Sequence, residues 1–463
     1  TSDLRLPPLI RGKYDFTESS QICRQKAESR LDEVVRIIYF SNMLNYILFI
    51  RKGVHVIMVH RLGSRYKWFL LALLWISFIN VHFHRVAFSP LIPAIMQELD
   101  ISYTLAGLLM SAYFITYASL QIPVGYLADK LGARTVTSIS LFILAIGVLL
   151  FSKITNLETG IIARSIIGLG AAALWVSGLK VLSLWFKPSE RGLITWIYAA
   201  SGTTGAIIAL LGVPLLSAIL GWRYTFFLSA FPAVFLAVID WFTIKDKPMD
   251  VGLSPVKESR AGEFEDSLLS SSKSSIYMIF SNRYMWALCI GQFLYCGGMY
   301  GALTWVPTYG FKELGFSMTW GGFVGSLIAF GALGAPLAGF LSDKLGRKLV
   351  FVTGMICFAV FMFLFALLSP NHGLAIFALL ALLAGISTSS LLMSFPIVTE
   401  LFPSSVIGLA FGLLNMFAFL GALVYPILMG AILDLTGSYF LAFVSIVAGE
   451  LLGAVIVFFV KKI

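Results

Sequence analysis

The chain has 463 residues, 59% hydrophobic and only 12% charged, with a formal net charge of +10 at pH 7 and a mean hydropathy of +0.90. A chain this apolar cannot hide its side chains in a water-soluble core, which excludes a soluble domain and implies a bilayer, where backbone groups must be paired inside helices. The basic excess calls for no nucleic acid, because anionic lipid headgroups would suit it.

Residues 1–66 are rich in charge up to Arg36, then run uncharged from Ile37 to Ile50 before Arg51 and Lys52. That run is short for about 30 Å of hydrocarbon, so 1–66 reads as a cytoplasmic or interfacial extension, with an extra span as the alternative. No secretory signal is evident, and the chain starts at Thr1. From there, apolar runs long enough to cross recur to the end. They predict helices over 67–96, 104–127, 134–152, 157–186, 190–219 and 223–243, a first six-helix bundle at 67–243. A solvated cytoplasmic linker, 244–283, carries both signs of charge and a serine run from Ser270 to Ser275. The second bundle, 284–463, has helices over 284–311, 317–341, 348–368, 373–401, 405–432 and 438–460. The expected fold is thus an all-α multi-pass membrane protein of twelve transmembrane helices in two six-helix bundles.

Cations set the orientation. With a cytoplasmic amino terminus, the loops holding Lys130 and Arg134, Lys187 and Arg191, Lys344, Arg347 and Lys348, the linker, and Lys461 and Lys462 all face the cytoplasm. The opposite loops offer little beyond Lys153, Arg223 and Lys312. Both termini are therefore expected inside, in a cell membrane. Cys23, Cys289, Cys296 and Cys357 lack paired ligand spacing, and no phosphate-binding glycine loop with its lysine is present. We expect no metal, no cofactor and no ATP hydrolysis, so energy must come from gradients or exchange.

The two bundles are sequence repeats. GYLADKLGAR from Gly125 to Arg134 recurs as GFLSDKLGRK from Gly339 to Lys348, 214 positions later. The likeness extends upstream, where Glu98 to Gly107 aligns with Glu313 to Gly322. These doubled loops resemble the signature loop after the second and eighth helices of the major facilitator superfamily, over about residues 67–460. Arg164 to Gly170, Ser189 to Gly192 and Gly221 to Phe227 are similar to the same family. Ala112 to Pro123 and Thr304 to Tyr309 resemble its organic-anion branch, the anion:cation symporters.

A carboxylate where a helix emerges can pair with nearby cations or face the positive amino end of another helix. The resemblance implies the second: Asp129 near the start of the eleventh helix at Ser404, and Asp343 near the start of the fifth at Ser189. Gly125, Asp129, Arg134, Gly339, Asp343 and Arg347 are then candidate gate residues, the alternative being solvated turns that fix topology.

Substrate choice should be read from charges that cannot escape to water. Arg85 in the first span and Arg164 in the fourth should lie at similar depth, where an arginine costs at least about 2.5–3.5 kcal/mol unless it faces a wet cavity or a partner. Two guanidinium forks at one level suit the oxygens of a carboxylate, sulfonate or phosphate; the alternative is a structural arginine bonded to backbone. Neutral polar side chains at helical spacing, Tyr117, Gln292, Tyr295 and Asn415, either line a path or join helices. Relatives in the anion branch carry an acid before the first-helix arginine and a glutamate seven residues after the fourth-helix one, whereas this chain has His84 and Ala171. His84 and the mid-span Glu450 remain as ion-coupling candidates.

The expected function is secondary transport of a small organic anion by alternating access, by symport, exchange or uniport. The partners are that anion, a proton or other coupling ion, and the bilayer, and the resemblance implies a monomer. Proton-coupled efflux of amphipathic compounds is one alternative, and a transporter-like receptor or partner-binding subunit is another. A membrane-embedded enzyme is disfavoured, because clustered nucleophiles at membrane depth are missing.

Overall fold

Apolar segments in hydrocarbon have one backbone solution that pairs every peptide group within the segment. The computed structural model accordingly is helical across its described residues, 66–251, 273–403 and 406–460, with no strand among them. Expectations placed on residues 1–65, on Ser404 and on the terminal lysines lie outside the described residues.

The first span comprises α1 (Tyr66–Val86) and α2 (Ile92–Leu99), joined through a 3-10 turn at Ser89–Leu91. Pro90 and Pro93 cause the break, since neither has an N–H for the preceding turn. Next come α3 (Tyr103–Ser119) and α4 (Gln121–Leu131), a second span bent by 56°. The first half continues with α5 (Ala133–Phe151), α6 (Leu157–Ala171), α7 (Leu174–Trp185) and α8 (Arg191–Thr243). Although α8 runs 53 residues, Gly221 interrupts it at φ 76°, ψ 158°, a corner that glycine makes without a Cβ clash. It is therefore two crossings, divided where the sequence places the boundary between the fifth and sixth.

In the second half the linker is not wholly irregular, because α9 (Lys273–Phe280) precedes α10 (Arg283–Lys312). Then follow α11 (Met318–Gly331), α12 (Ala335–Leu345), α13 (Arg347–Ala366), α14 (Leu374–Thr388), α15 (Ser394–Leu401), α16 (Ile407–Thr436) and α17 (Tyr439–Phe458). Nine segments among the described residues are long and apolar enough to cross a membrane, and α3 with α4 makes a tenth. Dividing α8 at Gly221 adds one. The 30-residue α10, whose glycines, tyrosines and tryptophans dilute its hydropathy, completes twelve.

Within the first half α1 packs on α8, α5 on α6 and α8, and α3 on α6; in the second, α10 packs on α11, α16 and α17, and α13 on α14 and α17. The halves meet along α3 with α16 and α8 with α11. Close approach there requires glycine: a Cβ on Gly107 would lie 2.3 Å from the Pro426 carbonyl oxygen, and one on Gly322 2.2 Å from that of Leu210. Large apolar side chains such as Ile219 (81% exposed), Phe235 (67%) and Phe459 (74%) cover the outside, as a lipid-facing surface demands. The chain is an integral multi-pass membrane protein.

The side-chain hydrogen bonds that join the halves, among the described residues, all lie away from the signature loops. Ser89 donates to the carbonyls of Leu303 (2.5 Å) and Thr304 (3.0 Å), and Ser111 to that of Leu423 (2.5 Å). Pro307 leaves the Leu303 carbonyl without its usual intrahelical donor, and the Ser89 hydroxyl takes that place. Asp434 accepts from the N–H groups of Tyr103 (2.9 Å) and Thr104 (2.8 Å), capping the start of α3 from the other half. At the signature loops no described side-chain hydrogen bond or ion pair crosses between halves. The described side-chain bonds between the halves are therefore concentrated away from those loops, toward the opposite face.

Candidate functional site

Between the halves lies a cleft of about 250 Å³, lined by His82 of α1, Trp196, Gly202 and Thr203 of α8, Met299 and Tyr300 of α10, and Thr388 and Ser389 of the second half. Behind two of these lining residues, His82 and Tyr300, α1 delivers Arg85, which is 2% exposed. Its Nε donates to the Tyr113 hydroxyl (3.1 Å), and its Nη1 to the Tyr300 hydroxyl (3.0 Å) and to His82 Nε2 (3.0 Å). The guanidinium lies 4.6 Å from the Tyr117 ring centre and 5.5 Å from that of Phe419. Arg85 thus touches both halves. No carboxylate pairs with it among the described residues, and Nη2 has no hydrogen-bond partner. A buried cation surrounded by neutral groups, with an unfilled donor, suits an anion.

Arg164 lies at the same depth but is differently employed. Its Nε donates to the Leu109 carbonyl (3.1 Å), Nη1 to that of His84 (3.0 Å), and Nη2 to those of Arg85 and Met110 (both 3.4 Å). The His84 and Arg85 carbonyls belong to the last turn of α1, where the proline break removes intrahelical donors. Arg164 therefore caps that turn with its positive charge and holds Arg85 in place. Every nitrogen of its fork is matched by a protein oxygen, the arrangement expected of the backbone-bonded alternative.

The remaining expected contacts separate as well. Tyr117 is at Arg85, stacked on Tyr113 with centroids 5.7 Å apart. Asn415 is half-buried, one helical turn before Phe419 and on the same side of α16. Tyr295 is fully buried in the second half, donating to the Ser387 carbonyl (2.5 Å) and sharing a bond with the Ser390 hydroxyl (2.9 Å). It fastens α10 to the turn after α14 and makes no bond at Arg85. Gln292 is 3% exposed with Oε1 unpartnered, eight residues from Tyr300 along α10, or roughly 12 Å at the helical rise.

Of the coupling candidates, His84 turns from the cleft, its Nε2 bonded to the Ser229 carbonyl (3.1 Å). Glu450 is fully buried against Gly298 of α10, and neither oxygen has a partner. Sequence reasoning missed Tyr300 and Phe419, which reach Arg85 from the other half. Asp240, which its place in the sequence puts near the cytoplasmic end of its span, is fully buried, accepts from the Ser77 hydroxyl (3.0 Å) and leaves Oδ1 unpartnered. The spacing of Ser77, Asn80 and His84 on α1 was the available signal for a polar face toward α8.

At the signature loops, Asp129 pairs with Lys180 of α7, and the Arg134 N–H donates to Asp246 (2.8 Å). Arg347 pairs with Glu400 (2.8 Å), while Asp343 is exposed without a described partner. Gly125 and Gly339 face open space. Nearby, Glu190 accepts from Lys67 Nζ (3.0 Å) and the Lys187 N–H (3.1 Å), which together hold its carboxyl below the usual carboxylate range.

Comparison with known proteins agrees with this architecture. A "probable galactarate/D-glucarate transporter", GudP, of Bacillus subtilis (strain 168) is 25% identical over 395 residues, covering 81% of this chain and 87% of its own. The hexuronate transporter of Escherichia coli (strain K12) is 25% identical over 420 residues, covering 86% and 94%. A bacterial homologue of the human lysosomal transporter Spinster, solved inward-facing and unoccupied, superposes with a TM-score of 0.66 at 18% identity, over 85% of this chain and 95% of that one. These relatives are transporters and not enzymes, and the curated ones carry small organic anions. The family model described as Major Facilitator Superfamily matches residues 74–335 and 322–462, and the chain belongs to that superfamily.

Proposed function

We propose that this protein moves a small organic anion, of the kind typified by sugar acids, across its membrane by alternating access, and that Arg85 receives the acidic group. The observation that carries this reading is the buried Arg85 guanidinium, set where the two halves meet, without a carboxylate partner and with Nη2 unfilled. Such a cation is expensive to keep in a low-dielectric setting unless a negative charge visits it. Tyr113, Tyr117 and Tyr300 orient the fork, while Thr203, Thr388 and Ser389 along the cleft supply hydroxyls for a polyhydroxy acid. Asn415, one helical turn from Phe419 on the same side of α16, is a further candidate contact. Arg164 acts indirectly, by bracing the α1 turn.

The bonds that join the halves away from the signature loops support a state open toward those loops, and the charge pattern supports their being cytoplasmic. Asp129, Asp343 and the residues around them would close that side in the opposite state, exchanging the pairs within each half for contacts between halves.

The test is uptake of labelled galactarate, D-glucarate, D-glucuronate and succinate into proteoliposomes. Loss of charge-assisted hydrogen bonds worth about 1.5–3 kcal/mol predicts that Arg85→Ala and Arg85→Lys reduce uptake at subsaturating substrate roughly tenfold to a hundredfold. Saturable uptake unchanged in Arg85→Ala would overturn the site. No uptake of any organic anion by the wild type would favour a receptor.

A further inference from the structure

We propose that His82, not a membrane carboxylate, is the proton site of this transporter, and that it binds its proton together with the anion at Arg85. The inference rests on the reading of Arg85 above and adds the coupling ion. In the present state His82 Nε2 accepts from Arg85 Nη1 at 3.0 Å, so that nitrogen carries no hydrogen and the ring is neutral. The ring lines the cleft, unlike His84, with Phe78 edge-on at 4.5 Å. On its other side α8 presents Gly202, where a Cβ would lie 2.9 Å from His82 Nε2, so the imidazole is seated against backbone.

The charged and titratable surroundings are few. On α1 itself they are Arg85 and the outward-turned His84; from α3, Tyr113 and Tyr117; from α10, Tyr300, which reaches His82 only through Arg85. From α8, Gly202, Gly205 and Thr203 add no charge, and its titratable groups toward α1 are Tyr198, stacked on Phe78, and Asp240, which accepts from Ser77 five residues before His82. No carboxylate among the described residues pairs with His82 or Arg85. A proton on His82 in the empty cleft would set two cations side by side, whereas an anion held by Arg85 offsets that repulsion and accepts a hydrogen bond from the new N–H. The proton comes from water on the side the cleft faces. Because linkage is reciprocal, an anion that favours the proton is itself bound more tightly when the proton is present. The two then travel together, without the acidic residues that His84 and Ala171 replace.

The test uses the purified full chain in nanodiscs, with the same four anions titrated calorimetrically in two buffers of different ionisation enthalpy, from about pH 5.5 to 8. The wild type should take up close to one proton per anion, and its affinity should fall by up to about tenfold per pH unit as pH rises, the limit for one linked proton. His82→Gln and His82→Asn should bind at the wild type's weaker high-pH affinity across the range, with no proton uptake. His84→Gln should keep the slope. Anion binding by the wild type without proton uptake, or an undiminished pH slope in a folded His82 variant, overturns the proposal. Failure of the wild type to bind any of the four would instead remove the anion reading of Arg85, and this proposal with it.

Discussion

Arg85 and Arg164 approach the Tyr113 ring to the same 5.4 Å, yet their hydrogen bonds divide them. Arg164 spends its fork on carbonyls; Arg85 meets only hydroxyls, an imidazole and ring faces, and keeps one nitrogen free. Removing Arg164 leaves buried carbonyls of His84, Arg85 and Leu109 dry, at roughly 1–3 kcal/mol each, and lysine cannot restore the fork. Arg164→Ala and Arg164→Lys should therefore lower thermal stability in detergent clearly, while Arg85→Ala should leave the melting temperature near that of the wild type; equal losses would argue against the division. Both arginines were visible in the sequence as charges stranded at similar depth. What separates them was not, since hydropathy reports that a charge is buried and says nothing of which oxygens it finds. Tyr300 lies 215 positions from Arg85, and no local pattern marks that contact.

Among the elements, the breaks carry most of the meaning. Proline ends α1, which frees the carbonyls that Arg164 caps, and Pro307 frees the carbonyl that Ser89 fills. The signature loops, the strongest motif in the sequence, sit apart in this state with their ions paired inside each half. The latch that is engaged belongs to the opposite face: Asp434 on the start of α3. Its counterpart 214 positions earlier is Leu220, so the repeat does not duplicate the latch. Asp434→Ala forfeits a helix cap worth about 0.5–2 kcal/mol and should shift the protein toward opening on that face. A cysteine placed at Ser111 in that background should be labelled severalfold faster by an impermeant thiol reagent applied from that side. Unchanged labelling would show that glycine packing alone keeps the face shut.

For the molecule as a whole, two pseudo-symmetric bundles meet through glycine-mediated backbone contacts, on which the proposed alternation depends. Gly107 tests this, because any side chain there strikes Pro426 backbone. Gly107→Leu should hold the remote face open, reducing uptake at least about tenfold with the protein still folded, since re-closing would require overpacking that costs typically 1–3 kcal/mol. Wild-type uptake in that variant would show that the face closes by another route. The sequence by itself determined the membrane environment, the doubled bundles, the corner at Gly221 and the presence of stranded cations, because hydropathy, helical period and glycine conformation act over a few residues. Only the tertiary structure decided which arginine keeps an unfilled nitrogen, that His82 rather than His84 faces the cleft, and where the halves bond to each other. Those outcomes depend on hydrogen bonds between helices tens to hundreds of residues apart, whose partners are chosen by how the rods pack and not by anything written beside them in the chain.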